Sequence, residues 1–422
     1  MKKEIILQQK REKELLLSQN YIARDKLEFA KKFMETDLIK VITGPRRAGK
    51  SVFAILCLKD RDFAYINFDD ENLLKIKNPD EILEGIFEVY GKTKFILFDE
   101  IQNLPNWEIF VNKLQRRGYN LTITGSNAKL LSKEFATALT GRYVLTPIFP
   151  FSFKEFLRAK KFLFWGDETK ITEVKGQILN YLDEYLKSGG FPEVIVKNIE
   201  SRTYLDTLFD ATIFKDIIKR YNVRFSQKIY DLSLYLTANF ASEFSFTKLK
   251  NILDFSSTNT LQNYLDYLCE AYLVFLLNRF SFKIKEQIKT PKKVYFIDNG
   301  FIQAKSFQFS QNTGKLMENL IFGEFLKRGY EPNKNIFSYK TRNKREIDFV
   351  LKEGIKIKTL IQTSYQTTNV KTEERELKGL VEGSEELKCN NLIIITWDKE
   401  GEEKFKNKRI KVVPLWKWLI EY

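Results

Sequence analysis

The 422-residue chain carries 70 Lys and Arg against 55 Asp and Glu, a formal charge of +15, and no histidine. The missing imidazole excludes Ser-His-Asp and Cys-His catalysis, HExxH zinc sites and His-containing zinc fingers, while the basic balance points to a polyanionic partner, nucleic acid first. A hydrophobic content of 43% with 19 Gly and 9 Pro describes a globular chain with little linker, long enough for about three domains.

Cys57, Cys269 and Cys389 lie far apart in apolar surroundings and form no CxxC pair, which predicts reduced core thiols in a cytoplasmic protein. No apolar run approaches the roughly 18 residues of a membrane span. The charged start Met1-Lys2-Lys3-Glu4 does not resemble a signal peptide. No membrane partner is expected.

In chain order, residues 4–34 are charged and helix-favouring, with Ile5, Ile6, Leu15, Leu16, Leu17, Ile22 and Leu27 as a broken apolar face, and predict one or two helices packed against the core of the first domain. The stretch LIKVITGPRRAGKS at 38–51 joins a β-type run to the spacing GxxxxGK[ST], which is that of a phosphate-binding loop. Gly44, Pro45, Arg46, Arg47, Ala48, Gly49, Lys50, Ser51 and Val52 are the expected nucleotide contacts. The glycines let successive amides face phosphate oxygens, Lys50 brings charge to the outer phosphates, and Ser51 offers a hydroxyl to Mg²⁺. ATP and Mg²⁺ are the implied ligands.

Strand patterns at 63–68, 94–98, 120–124 and 142–146 alternate with amphipathic helices carrying Ile82, Leu83, Ile86 and Phe87, then Trp107, Phe110, Val111 and Leu114. That alternation predicts an α/β class with a parallel sheet covered on both faces and a ligand at the strand C-terminal ends. KFILFDEIQ sets Asp99 and Glu100 at a strand end. Asp99 is the candidate Mg²⁺ ligand, and Glu100 the candidate base for the attacking water. One strand on, Ser126 or Asn127 can hydrogen-bond that water or the γ-phosphate, and Asn127 is the preferred choice. Charge developing on the phosphoryl group calls for an arginine; Arg142, Arg46 and Arg47 are the candidates, and Arg142 is favoured for a sensing or finger role.

From Pro150 the pattern turns helical. Residues 1–149 are expected to hold the N-terminal helices and the phosphate-loop core, and 150–225 a helical lid around GGFPE at 189–193. Residues 226–311 read as three helices and a strand hairpin, the pattern of a winged helix. Its recognition helix would be 258–271 and its wing 279–293. Asn259 and Gln262 could reach base edges; Arg279, Lys283, Lys285, Lys289, Lys292 and Lys293 form a basic stripe suited to phosphates. Residues 312–422 read as a separate α/β domain.

The runs GPRRAGKS, LFDEIQNLPNWE, TGSNAKLLS, LTGRY, PFSFKEFL, GGFPEV, TLQNYLDYLCEAYLV, YFIDNGF, KLMENLIF, REIDFVL and IQTSY resemble the AAA-type archaeal and bacterial P-loop ATPases over nearly the whole chain. The resemblance implies ATP binding and hydrolysis, a helical lid, a winged helix and a C-terminal domain of poorly defined task. That last domain resembles the PD-(D/E)xK nuclease-like fold. Glu318 and Asp348 match its acidic positions, but Gln362, Thr363 and Ser364 replace the acid, spacer and lysine of its third element. Lys356 or Lys358 could substitute for the lysine, and Lys340, Arg342, Lys344 and Arg345 could meet a polyanion. An inactive nuclease-like domain is favoured over an active one.

The expected function is therefore a Mg²⁺-dependent AAA-type ATPase acting on or with DNA. The alternatives are a nucleotide-operated switch or scaffold with a protein partner or a homo-oligomer, and an ATP-regulated DNA nuclease.

Overall fold

Five short apolar runs become the parallel strands β1 (Ile39–Thr43), β2 (Phe63–Asn67), β3 (Phe95–Asp99), β4 (Asn120–Gly125) and β5 (Tyr143–Pro147), in the order β2-β3-β4-β1-β5. The computed structural model describes residues 2–76, 78–127, 139, 141–162, 168–169, 171–306, 312–365 and 370–421. Two compact units divide the chain: Met1–Phe151 with Glu270–Tyr272, and Ser152–Cys269 with Leu273–Tyr422. Among the described residues no helix is long and apolar enough to cross a membrane.

In the first unit the strands are almost continuously apolar because both sheet faces are covered. Alternate residues separate into two cores, with Val41, Ala64, Ile66, Ile96, Phe98 and Ile123 on one side and Ile42, Phe63, Tyr65 and Leu97 on the other. The helix Lys2–Leu17 closes the β2 edge. Gln9 brackets Asn67, donating to its carbonyl at 3.1 Å and accepting from its amide at 3.0 Å, and Lys13 Nζ donates to Phe63 O at 2.9 Å. Side chains thus satisfy edge groups that would otherwise template another strand.

The second unit opens on helices Phe153–Ala159, Thr172–Ser188, Pro192–Val196 and Ser201–Ala211, the last running into a wider π-type turn over Thr212–Lys219. Ser152 and Glu155 form a reciprocal cap at the first of them. Helices Ser226–Ala238, Phe246–Ile252 and Thr258–Glu270 follow, with β6 (Ser242–Phe244), β7 (Val274–Asn278) and β8 (Lys292–Phe296) as an antiparallel sheet in the order β6-β8-β7. Between β7 and β8 lies a short helix, Ile284–Lys289, where a plain wing loop was expected.

Strands β9 (Ile336–Lys340), β10 (Glu346–Glu353), β11 (Lys356–Ser364), β12 (Leu392–Thr396), β13 (Gly401–Phe405) and β14 (Lys408–Pro414) form a mixed sheet in the order β13-β14-β12-β11-β10-β9. The central trio β11, β12 and β14 is parallel; the other pairings are antiparallel. The helix Thr313–Lys327 is buried without interruption from Leu316 to Leu326. A helix enclosed on all sides needs internal partners for its polar groups, and Asn319, Glu318 and Glu324 each have one.

One carboxylate organises the GGFPE loop. Asp298 accepts from the amides of Gly190 and Gly300, each at 2.8 Å, and burial pushes its pKa up. A Cβ at Gly189, where φ is +74°, would fall 1.7 Å from Asp298 Oδ1, so the loop requires glycine. Asp298→Ala leaves two buried amides without an acceptor and should cost about 2–4 kcal/mol, read as a lowered urea midpoint.

Candidate nucleotide site and a second polar cleft

β1 ends at Thr43, and the chain turns through Gly44, with φ +146°, and Gly49, with φ +90°, into the helix Lys50–Leu58. A Cβ on Gly44 would lie 1.8 Å from Ile148 O, so this turn excludes a side chain. Lys50 is 4% exposed; its Nζ donates to Pro45 O at 3.1 Å and stands 3.4 Å from Glu100 Oε1. Arg24 braces the loop from outside, donating to Ala48 O at 2.9 Å and Phe149 O at 2.5 Å.

Asp99 and Glu100 stand at the C-terminal end of β3, beside the loop. Asp99 Oδ1 accepts from Ser51 Oγ at 2.8 Å and from Thr124 Oγ1, and its Oδ2 accepts from Tyr65 OH at 3.1 Å. Burial and then the adjacent Glu100 charge push Asp99 up, against the hydrogen bonds of Thr124 and Ser51. Burial would also raise Glu100, but Lys50, the Gln102 hydrogen bond and Arg46 outweigh it and hold Glu100 below the usual carboxylate range. Glu100 takes a left-handed backbone, φ +50°, uncommon for a residue with a side chain. Gln102 Nε2 donates to Glu100 Oε2 at 2.5 Å and lies 3.5 Å from Ser126 Oγ. Ser126, one of the two polar candidates after β4, is thus beside Gln102 and Glu100, and Asn127, the next residue, is buried.

Spacing alone did not identify Thr124, Tyr65, Gln102 and Arg24. The first two are strand residues whose role depends on register: β4 lies next to β3, and β2 on its other side.

Arg142 is not at this site. β5 runs parallel to β1 with Ile39 opposite Tyr143 and Thr43 opposite Pro147, so Arg142 precedes the strand's N-terminal end, where it is exposed. Five residue steps along the strand separate it from Pro147, which lies opposite the loop end at Thr43, ~16 Å at 3.3 Å per residue. This position removes Arg142 from its own chain's phosphates, and the sensing or finger role expected of it stands only toward the site of a second chain. Of the other arginine candidates, Arg46 is half-buried near Glu100 and Arg47 is exposed with φ +64°.

The expected basic stripe also divides. Asn259 and Gln262 are exposed on the helix Thr258–Glu270, and Lys283, Lys285 and Lys289 are exposed beside Phe282, Ile284 and Ile288. Lys292 is buried and donates to Gln287 O at 2.6 Å and Ile288 O at 3.0 Å, where it caps a helix end. Arg279 pairs with Glu243 at 2.8 Å. Lys293 turns inward to a carboxylate cluster. Lys292 and Lys293 are therefore withdrawn as solvent-facing phosphate contacts: both lie on a strand whose two neighbours bury it.

A second polar cleft, of about 1110 Å³, opens in the second unit. Glu318, Asp348 and Gln362 line it together, with Lys293 and Glu346 at their side and Lys315, Lys344, Arg345 and Arg375 also on its walls. Asp348 Oδ2 accepts from the amide and hydroxyl of Thr363, at 2.9 and 2.6 Å. Burial and then Asp348 push Glu318 up to about 7, against the pull of Lys293. Lys356 and Lys358 begin β11, the opposite end from Gln362, and Lys358 pairs with Glu353 at 2.7 Å. Neither replaces the missing lysine.

The matching family models divide the chain into three: an AAA domain over residues 36–157 and two domains of unknown function, DUF8612 over 179–312 and DUF4143 over 313–418. An uncharacterized protein of Methanocaldococcus jannaschii is 40% identical over 91% of this chain and 88% of its own. One from Haemophilus influenzae is 33% identical over 77% of this chain and 82% of its own. Among solved structures, a Walker-type ATPase of Pyrococcus abyssi covers 69% of this chain and 99% of that chain at 13% identity and a TM-score of 0.43, a likeness too distant to carry function across.

Proposed function

The chain belongs to the family represented by its Methanocaldococcus and Haemophilus relatives and carries an AAA domain over residues 36–157, and on that premise we propose that it is a Mg²⁺-dependent ATPase working with DNA. The observation that carries the proposal is the Ser51–Asp99 hydrogen bond at 2.8 Å beside a Glu100 held ionised by Lys50. A hydroxyl and a carboxylate joined in this way form the donor set that fits Mg²⁺ and its water shell. Bound there, the ion would offset the charge of the phosphate oxygens. The loop amides of Gly44 and of Arg46 to Val52 receive the phosphates, and Lys50 exchanges Pro45 O and Glu100 for the outer ones. Glu100, released from Lys50, takes the proton of the attacking water, with Ser126 or Asn127 orienting it. Mutual contact among Lys50, Ser51, Asp99 and Glu100 is the strongest support for hydrolysis rather than binding alone.

For the DNA side, the helix-strand-helix-helix-strand-helix-strand order of residues 226–296 supports a winged-helix reading in which the short helix Ile284–Lys289 interrupts the wing. Asn259, Gln262, Lys283, Lys285 and Lys289 are its exposed polar and basic side chains and our candidate contacts. Replacing Lys283, Lys285 and Lys289 together by Ala should lower the slope of log affinity against log salt by about 2.7, from 0.9 per phosphate contact. Duplex binding across a salt series checks this. The exposed Phe282, Ile284 and Ile288, 66–73% accessible, favour a second reading in which the same segment meets a protein and ATP works a switch. ATP turnover and solution mass, each with and without duplex DNA, separate them: several-fold stimulation by DNA supports the first, indifference the second.

A further inference from the structure

A lysine lies between the two carboxylates of the second cleft. Lys293 Nζ is 2.7 Å from Glu318 Oε1, 3.3 Å from Asp348 Oδ1 and 2.8 Å from Glu346 Oε1, with its side chain 3% exposed. The nuclease-like reading of residues 312–422, on which this inference rests, has Glu318 and Asp348 hold a divalent cation with help from an acid on β11. The residues present do not fit that ion. The β11 position is Gln362, an amide that accepts from Asp348 N at 3.4 Å. Asp348 Oδ2 is engaged twice by Thr363, and Glu318 Oε1 also accepts from Tyr295 OH at 2.6 Å. An ion bound at about 2.0–2.1 Å would need the oxygens that Lys293 already holds. Among the described residues no group of three or more His, Cys, Asp or Glu is placed to bind a metal.

Nor is the lysine a loosely seated guest. β8, which carries it, is paired on one edge with β6 and on the other with β7. Asn319 brackets the next turn of the strand, donating to Phe296 O at 3.1 Å and accepting from Phe296 N at 2.8 Å. The Tyr295 ring stacks on Phe322 with centroids 4.2 Å apart and planes within 7°. Together these fix the backbone that presents Lys293 to the two carboxylates.

We propose that Lys293 is an internal cation that takes the place of a divalent metal between Glu318 and Asp348, so that the cleft carries no metal-dependent hydrolysis. One strand thus supplies a fixed positive charge where an ion would otherwise be recruited from solution.

The test is Mn²⁺ binding to the full chain without nucleotide, followed by electron paramagnetic resonance in an Asp99→Asn background that silences the phosphate loop's own cation position. No Asp348-dependent Mn²⁺ is expected while Lys293 is present; Lys293→Ala should gain about one ion per chain, lost again on Asp348→Ala. Lys293→Met keeps the apolar stem and serves where the alanine variant does not fold, and Mn²⁺ should raise its Tm. Mn²⁺ bound in an Asp348-dependent way with Lys293 intact overturns the role of the lysine and leaves the nuclease-like reading standing. Mn²⁺ bound by none of the variants removes the metal position altogether, and that reading with it.

Discussion

Glu100→Gln should leave ATP binding intact and slow turnover by about 10²–10⁴, the range for loss of a general base. The substitution keeps the size and the left-handed backbone of Glu100 while removing its negative charge. Lys50, which faces Glu100 at 3.4 Å, retains Pro45 O as a partner and remains available to phosphate. Gln102, which donates to Glu100 at 2.5 Å, can donate to the amide oxygen instead. Lys50, Gln102 and Arg46 hold Glu100 below the usual carboxylate range, so the parent residue is ionised at neutral pH. Single-turnover hydrolysis, with ATP affinity measured alongside, checks this. Unchanged turnover removes Glu100 as the base, whereas a matching loss of affinity makes it a binding group.

Replacing Glu318 by Gln should flatten the pH dependence of stability between about pH 4.5 and 7. In the folded chain Glu318 is pushed up to about 7 from an ordinary 4.5, by burial and then by Asp348. Over that window the unfolded chain has released the proton and the folded chain still holds it. Folding is therefore progressively disfavoured as pH rises, by about 3 kcal/mol in all. Lys293 does not cancel the slope: although burial works against its charge, Glu318, Tyr295, Asp348 and Glu346 raise its pKa well above 10.5, so its charge is constant there. The difference in urea-unfolding free energy between parent and variant, plotted against pH, isolates this group from others that titrate nearby. Asp348→Asn should shift the same window downward, since it removes the neighbouring like charge.

The phosphate loop and the acidic pair were legible because their chemistry is local: GxxxxGKS and an acid at a strand end specify geometry within a few residues. The strand order needed to bring Thr124 and Tyr65 to Asp99 is not local, and both read as ordinary strand residues. Arg142 shows the complementary failure, since nearness to a strand in sequence does not say which end of the sheet it occupies. The run Lys292-Lys293 looked like solvated charge because single lysines on a strand carry no mark of their neighbours. Only the pairing of β8 and the burial of Glu318 on a fully enclosed helix give those two cations an interior destination. The departure at Gln362-Thr363-Ser364 was visible from the start, while the cation that answers it lies about seventy residues away in the chain.

Tyr272 carries a consequence for biosynthesis. It is buried in the first unit, its hydroxyl donates to Thr43 Oγ1 at 2.8 Å, and its ring packs edge-on to Phe149 at 6.2 Å. Thr43 is the last residue of β1 before the loop glycine, so the strand that presents the loop is completed by a side chain synthesised more than two hundred residues later. A nascent chain that has emerged only through residue 151 therefore holds every loop residue but lacks the side chain that bonds Thr43 and packs on Phe149. Its loop should remain open to protease until Glu270–Tyr272 leaves the ribosome, and a fragment cut at 151 should be less stable than the same segment in the intact chain.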